Sequence, residues 1–289
     1  MDYILRNEKL EVIVSSKGAE LRSVVHQGRE CMWCGDPSIW GRRAPLLFPL
    51  IGRLRQETYL LDGKVIHAPI HGFCRDREFQ VVAHDDSHVI LRTADDAQTQ
   101  EIYPFSFQLE VEFALEEDAP VLRKTHRVVN NSKRPMPYEV GGHEAYAVSP
   151  DEDTYVQFEG GISQIGTYVM DEDAMLTVPK RLLELPQGRL EQTPEQVGLD
   201  TIIVEEVPNG TVTLATKQSG NLVTVEFPEF DYLGIWTKAG VGKARYLCIE
   251  PWSTLPDGTF MPHDLMGKTG IRILGPGQEE SLTYSMAFH

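Results

Sequence analysis

Four short motifs hold the side chains best suited to moving protons: Ile51-Gly52-Arg53-Leu54, His71-Gly72-Phe73, Gly141-Gly142-His143-Glu144 and Ile249-Glu250-Pro251-Trp252. Together they supply a fixed cation, two imidazoles and a carboxylate, each close to glycine, proline or an aromatic residue, the residues that shape clefts. Such a set suits acid–base chemistry on a polar, uncharged substrate. Glu250 follows the apolar run Tyr246-Leu247-Cys248-Ile249 and precedes Pro251, which predicts that it closes a strand. Beside Trp252 and partly out of water, its pKa would rise toward the range of a general base; a surface ion pair would use a strand-end glutamate equally well. His143 follows two glycines, which admit close backbone approach or positive φ, and is either a proton carrier or a satisfied core histidine. His71 offers the same pair of readings at a predicted turn. Arg53 ends an apolar stretch that begins at Ala44, where five donors demand partners, either an acidic neighbour or a substrate. Trp236, in Tyr232-Leu233-Gly234-Ile235-Trp236-Thr237-Lys238, offers an aromatic face to a sugar or fills the core.

Other signals are weaker. Cys31-x-x-Cys34 is half of a zinc knuckle or a redox pair, but no second pair follows and no βαβ pattern surrounds it. His67-x3-His71 suits a metal on a helix, and this stretch reads as strand and turn. There is no P-loop, dinucleotide-binding glycine fingerprint or Gly-x-Ser-x-Gly elbow. The expectation is chemistry without metal or organic cofactor.

The elements that must position these residues are strands. Leu10, Val12 and Val14 share a face at period two, and Gln108–Phe113 and Val223–Phe227 alternate cleanly. Asp62-Gly63 predicts a type I′ hairpin between 58–61 and 64–66, and Asn209-Gly210 and Ser219-Gly220 mark turns around 201–206, 211–216 and 222–227. Further strands are expected at 78–83, 88–93, 106–115, 121–130, 232–237, 245–249 and 280–287. Residues 172–196, rich in Pro, Leu, Glu and Gln, read as an irregular excursion. With almost no amphipathic helix, no repeat and no shift of composition, the chain is predicted to be all-β, one large antiparallel β-sandwich domain over residues 1–289.

The 289 residues carry a net charge of −16 at pH 7, which opposes nucleic acid and anionic membrane surfaces as partners. No stretch approaches the roughly 20 apolar residues of a membrane span, and the amino terminus has no apolar signal core. The four cysteines do not form a disulfide framework. These features predict a cytoplasmic protein, monomer or homodimer, whose partner is a neutral small molecule.

In combination the motifs resemble the aldose 1-epimerase (galactose mutarotase-like) family, in its LacX-type branch. The likeness is carried, in order, by Pro45-Leu46-Leu47-Phe48-Pro49-Leu50-Ile51-Gly52-Arg53, His71-Gly72-Phe73-Cys74-Arg75-Asp76, Gly141-Gly142-His143-Glu144-Ala145-Tyr146, Tyr232 to Lys238 and Cys248-Ile249-Glu250-Pro251-Trp252. The resemblance implies a β-supersandwich with a sugar in an open cleft. It implies Glu250 as the base that takes the anomeric proton, His143 as the acid that protonates the ring oxygen, and Arg53 and His71 as substrate contacts. Asp200, in Gly198-Leu199-Asp200-Thr201, is similar to a hydroxyl-binding aspartate. The implied reaction interconverts the α and β anomers of a free hexose by ring opening and reclosure. Two other readings remain: a non-catalytic sugar-binding or sensing protein, which has no need of a matched acid–base pair, and a mutarotase of phosphorylated sugars, for which Arg75, Arg77 and Lys238 are the candidate rim cations. A glycoside hydrolase would need Glu144 as carboxylate partner to Glu250, a poorer match than His143.

Overall fold

A computed structural model describes residues 1–193, 200–239 and 245–289. Among them the single α-helix is the short Ala97–Ile102, capped by Asp96, and apart from five short 3-10 turns the remaining regular structure is strand. A nine-stranded antiparallel sheet runs, edge to edge, through Arg189–Glu191, Thr154–Phe158, Thr211–Thr216, Gly220–Glu226, Glu279–Phe288, Val121–Asn130, Phe107–Leu115, His88–Ala94 and Gln80–His84. A six-stranded sheet is ordered Glu144–Ala147, Tyr246–Trp252, Tyr232–Trp236, Ile202–Glu205, Gln164–Met170 and Leu176–Glu184. The amino-terminal Asp2–Arg6, Leu10–Ser15, Glu20–His26 and Arg29–Glu30 form a third, four-stranded sheet.

Alternation along the strands decides which way each residue faces. In the large sheet Phe107, Leu109, Val111 and Phe113 are buried, and they share one core with Leu233, Ile235, Leu247 and Ile249 of the six-stranded sheet. The predicted sandwich is therefore present. On the six-stranded sheet the other set of positions, Tyr232, Trp236, Tyr246, Cys248 and Trp252, packs under the segment around residues 33–51 in two smaller clusters. That outer face, not the common core, holds the site.

The Asp62-Gly63 hairpin forms as predicted, both residues at positive φ between Thr58–Leu61 and Lys64–His67. Two expectations are corrected. Residues 172–196 are not an irregular excursion, for they contain the strands Leu176–Glu184 and Arg189–Glu191; residues 194–196 lie outside the described residues. Both strands are sheet edges, so Leu176–Glu184 keeps most of its side chains in water and shows no buried alternation to read. Glu250 does not close its strand either, because the ladder continues through Pro251 to Trp252. Pro251 keeps its place in the ladder through its carbonyl, which accepts from the Gly142 N–H at 3.0 Å, and through its pairing with Leu233.

Candidate functional site

The side chain of Glu250 stands on the outer face of Tyr246–Trp252, opposite Gly234 in the register. Gly234 makes room there for the Trp252 ring, which a Cβ would strike at 2.6 Å. Glu250 is 1% exposed, and no hydrogen bond reaches either carboxyl oxygen. Burial raises its pKa well above the ordinary carboxylate value, and the charges of Glu144 and Asp200 add to that rise. The indole N–H of Trp252 works the other way without reaching good hydrogen-bond geometry.

His143 reaches the same spot from the turn before Glu144–Ala147. Its Nδ1 lies 3.4 Å from Glu250 Oε1, and the ring stacks on Trp40 with centroids 5.1 Å apart. The edges of Trp236 and His71 close in at 5.6 and 5.7 Å. Burial pushes the pKa of His143 down to about 3, a fall that its own backbone opposes and that the charges of Arg75 and Arg42 reinforce. The two shifts run in opposite senses, and each favours the uncharged form of its group.

Gly141 and Gly142 serve a purpose other than the one expected. Neither has positive φ, and what approaches them is the protein itself. A Cβ on Gly141 would press on Trp252 Cδ1 at 2.8 Å, and one on Gly142 would overlap the Tyr284 hydroxyl and the Glu144 carboxylate. Glu144, one residue past His143, faces the core, where it pairs with Lys124 at 2.8 Å with both side chains fully buried. It cannot share a substrate with Glu250 as a second carboxylate.

His71 is held at φ 63° by two bonds to Gly52: its backbone N–H donates to the Gly52 carbonyl at 2.9 Å, and its Nδ1 accepts from the Gly52 N–H at 3.0 Å. With Nδ1 accepting, the ring proton sits on Nε2, a donor available to a ligand. Burial holds its pKa well below the usual histidine value, with His143, Arg75, Arg42 and Arg53 adding to the effect. Asp200 accepts from Trp236 Nε1 at 2.8 Å, so Trp236 edges His143 and braces Asp200 as well as offering a face to ligand.

A cleft of about 310 Å³ is lined by all six predicted residues: Arg53, His71, His143, Asp200, Trp236 and Glu250. Gly198 and Leu199, which flank Asp200 in its motif, lie outside the described residues. Arg53 differs from its expectation in being 43% exposed at the rim, where it pairs with Glu57 at 3.1 Å. Of the candidate rim cations only Arg75 lines the cleft; Arg77 pairs with Asp96, and Lys238 donates to the Ile39 carbonyl. Trp252, read from the sequence as the neighbour of Glu250, lines it as well, and so do Trp40 and Arg42, which were not singled out from the sequence. Trp40-Gly41-Arg42 carried the same signal as the chosen motifs, an aromatic and a cation around glycine.

One group of possible metal ligands involves the same residues. The ligand atoms of His143, Cys248 and Glu250 lie within 4.8 Å of one another. Burial and the neighbouring Glu250 and Glu144 raise the Cys248 thiol well above its usual pKa, so a cation here would have to displace protons from both Cys248 and Glu250.

A family model described as aldose 1-epimerase matches residues 1–267. Protein LacX (plasmid) of Lactococcus lactis subsp. lactis is 28% identical over 271 residues, 88% of each chain. A solved structure of a galactose mutarotase related enzyme from Lactobacillus acidophilus is 31% identical, covers 100% of this chain and 97% of its own, and superposes with a TM-score of 0.93. A galactose mutarotase-like protein from Lactobacillus casei ATCC 334 is 28% identical with full coverage of both chains and a TM-score of 0.92.

Proposed function

The chain belongs to the aldose 1-epimerase family, and from that premise we propose that it is a mutarotase that opens and recloses the ring of an aldose with Glu250 and His143 as its proton-transfer pair. A free hexose presents every group this pair requires, an anomeric hydroxyl next to a ring oxygen. The observation that carries the reading is the contact of the two side chains at 3.4 Å in a buried cleft, with their pKa values displaced in opposite senses.

Proton bookkeeping gives this contact its meaning. Ring opening takes the anomeric proton onto Glu250 and delivers one from His143 to the ring oxygen, which leaves Glu250 protonated and His143 neutral. That is the state the buried site already favours without substrate. Burial, which favours the uncharged form of both groups, leans in the same direction as the open-chain aldehyde state, and the cyclic sugar needs the charged pair. Rotation about C1–C2 in the aldehyde exposes its other face, and the same two transfers run backward to the other anomer. The His71 Nε2–H and the Asp200 carboxylate would hold ring hydroxyls, while Arg53 steadies them from the rim. Trp236 and Trp40 fix the His143 ring.

The test is the rate at which freshly dissolved α-anomers of several aldoses approach equilibrium. Glu250→Gln and His143→Asn should each lower the enzymatic rate by roughly 10²- to 10⁴-fold. Absence of acceleration with any sugar, alongside retained sugar binding, would instead make the chain a sugar-binding protein.

A further inference from the structure

Behind the acid–base pair, strand alternation brings a third group to the same spot. Cys248 and Glu250 alternate with Ile249 along Tyr246–Trp252, so both side chains leave its outer face. Cys248 is fully buried and joined in no disulfide. Ligand atoms of Cys248, Glu250 and His143 all fall within 4.8 Å of one another. A second observation points into the same space. His143 Nδ1 and both carboxyl oxygens of Glu250 are buried without a hydrogen-bond partner, and so is the neighbouring Trp252 Nε1. Buried polar atoms are nearly always bonded, so a group of orphans in one place marks a position that a ligand fills. A sugar would engage His143 and Glu250 but leaves Cys248 unused.

The donors are those of a thiophilic cation. Thiolate sulfur, imidazole nitrogen and carboxylate oxygen bind zinc, with the fourth corner of the tetrahedron left for water. Zinc bonds of about 2.0 Å to nitrogen and oxygen set those two atoms about 3.3 Å apart at the tetrahedral angle. His143 Nδ1 and Glu250 Oε1 stand at 3.4 Å. Charge balance favours the same set. The charges of Arg42 and Arg75 reach His143 and would repel a bare cation, whereas thiolate and carboxylate together cancel a divalent one. An ionised Glu250 that gives one oxygen to the metal keeps the other for the Trp252 indole N–H, the kind of outer contact that steadies a ligating carboxylate. Magnesium and calcium need oxygen where this site offers sulfur and nitrogen. We propose that Cys248, His143 and Glu250 form a site for zinc or another thiophilic divalent cation, which enters through the sugar cleft and shuts the mutarotase off by occupying its proton-transfer pair. The inhibitory half of this inference rests on the mutarotase reading; the binding half stands without it.

The experiment uses the Cys34→Ser protein, which lacks the exposed thiol that would bind metal at the surface. One zinc should bind per chain, measured by competition with a chromogenic chelator, and cobalt in its place should show the charge-transfer band of a thiolate ligand. Adding Cys248→Ser should abolish that band and weaken zinc binding by roughly 100-fold. Metal-free mutarotation by this variant should match that of its parent, which also shows that it folds. Glu250→Gln should weaken zinc binding as well. With sugar present, zinc should raise KM and leave kcat unchanged, while magnesium does neither. Absence of the cobalt band before Cys248 is replaced, zinc binding that survives Cys248→Ser, or zinc inhibition that sugar does not relieve overturns the inference and leaves the mutarotase intact. If no sugar is turned over, the mutarotase reading and the inhibitory half fall together, and zinc stoichiometry with the cobalt band still decides the binding site.

Discussion

Replacing Glu250 by glutamine should stabilise the protein, and by more as the pH rises, while it disables the proposed chemistry. In the folded chain burial holds the carboxyl's pKa well above 4.5, its ordinary value. Between 4.5 and the folded pKa, the folded protein keeps a proton that the unfolded chain has released. Raising the pH through that window therefore favours unfolding, at a limiting slope of about 1.4 kcal/mol per pH unit. From 4.5 to pH 7 the ceiling is about 3 kcal/mol, a large fraction of an ordinary protein's stability. Glutamine has the same shape and no charge to lose, and amide and protonated acid are buried unpaired alike. The gain of the variant over the wild type should be near zero at pH 4 and grow as the pH rises toward the folded pKa. Urea unfolding midpoints of the two proteins from pH 4 to 8, with equal m-values, measure that difference. A difference that stays flat with pH, or a wild type that gains on the variant as pH rises, would refute the claim that the site holds Glu250 neutral. His143 supplies the opposite limb. Its pKa falls from 6.5 to about 3, so the unfolded chain takes up a proton first as the pH drops. His143→Asn should therefore outlast the wild type increasingly between pH 6.5 and about 3, the reverse of the glutamine variant.

Three more predictions follow from the residues behind the site. Lys124→Met should cost about 3–5 kcal/mol, read as a lowered melting temperature, because it leaves Glu144 charged and buried without its partner; adding Glu144→Gln should recover much of that loss. Gly142→Ala should cost about 1–3 kcal/mol by the same measure, since its methyl overlaps the Tyr284 hydroxyl and the Glu144 carboxylate. Gly141→Ala should act on rate as well, lowering it roughly 10- to 100-fold through displacement of the Trp252 ring beside Glu250.

What could be read from the sequence depended on whether a residue's partners were local. Gln108–Phe113 and Val223–Phe227 announced themselves because one face of each is buried in the common core, and Asp62-Gly63 because a two-residue turn needs nothing beyond itself. Leu176–Glu184 was hidden because an edge strand in water has no apolar face to display. The position of Glu250 was not legible because a proline reads as the end of a ladder, whereas Pro251 still pairs with Leu233 and accepts from the Gly142 N–H. The six site residues were legible as types beside glycine and aromatics, and they do line one cleft. Arg42 and Trp40 show the limit of that approach: their importance comes from contacts with Asp76, Arg75 and His143, which only the folded chain brings together.

Glu144 shows how the strand converts adjacency in sequence into separation of roles. His143 and Glu144 are neighbours, yet the alternation of a strand sends the imidazole to the cleft and the carboxylate to the core. Read as a motif, Gly-Gly-His-Glu suggested a second carboxylate near the substrate. In the fold it is a charge behind the site, and after burial it is the strongest influence raising the pKa of Glu250. Lys124 makes that charge tolerable in the core without standing between it and the cleft, because its ammonium lies among Phe113, Tyr284 and Glu144. The two glycines before His143 are then required on one side by Trp252 and on the other by Glu144 and Tyr284. Burial does most to favour the protonated form of Glu250; the Glu144 carboxylate behind it makes the loss of its proton costlier still, and so favours the protonation state in which an opened sugar would leave the pair.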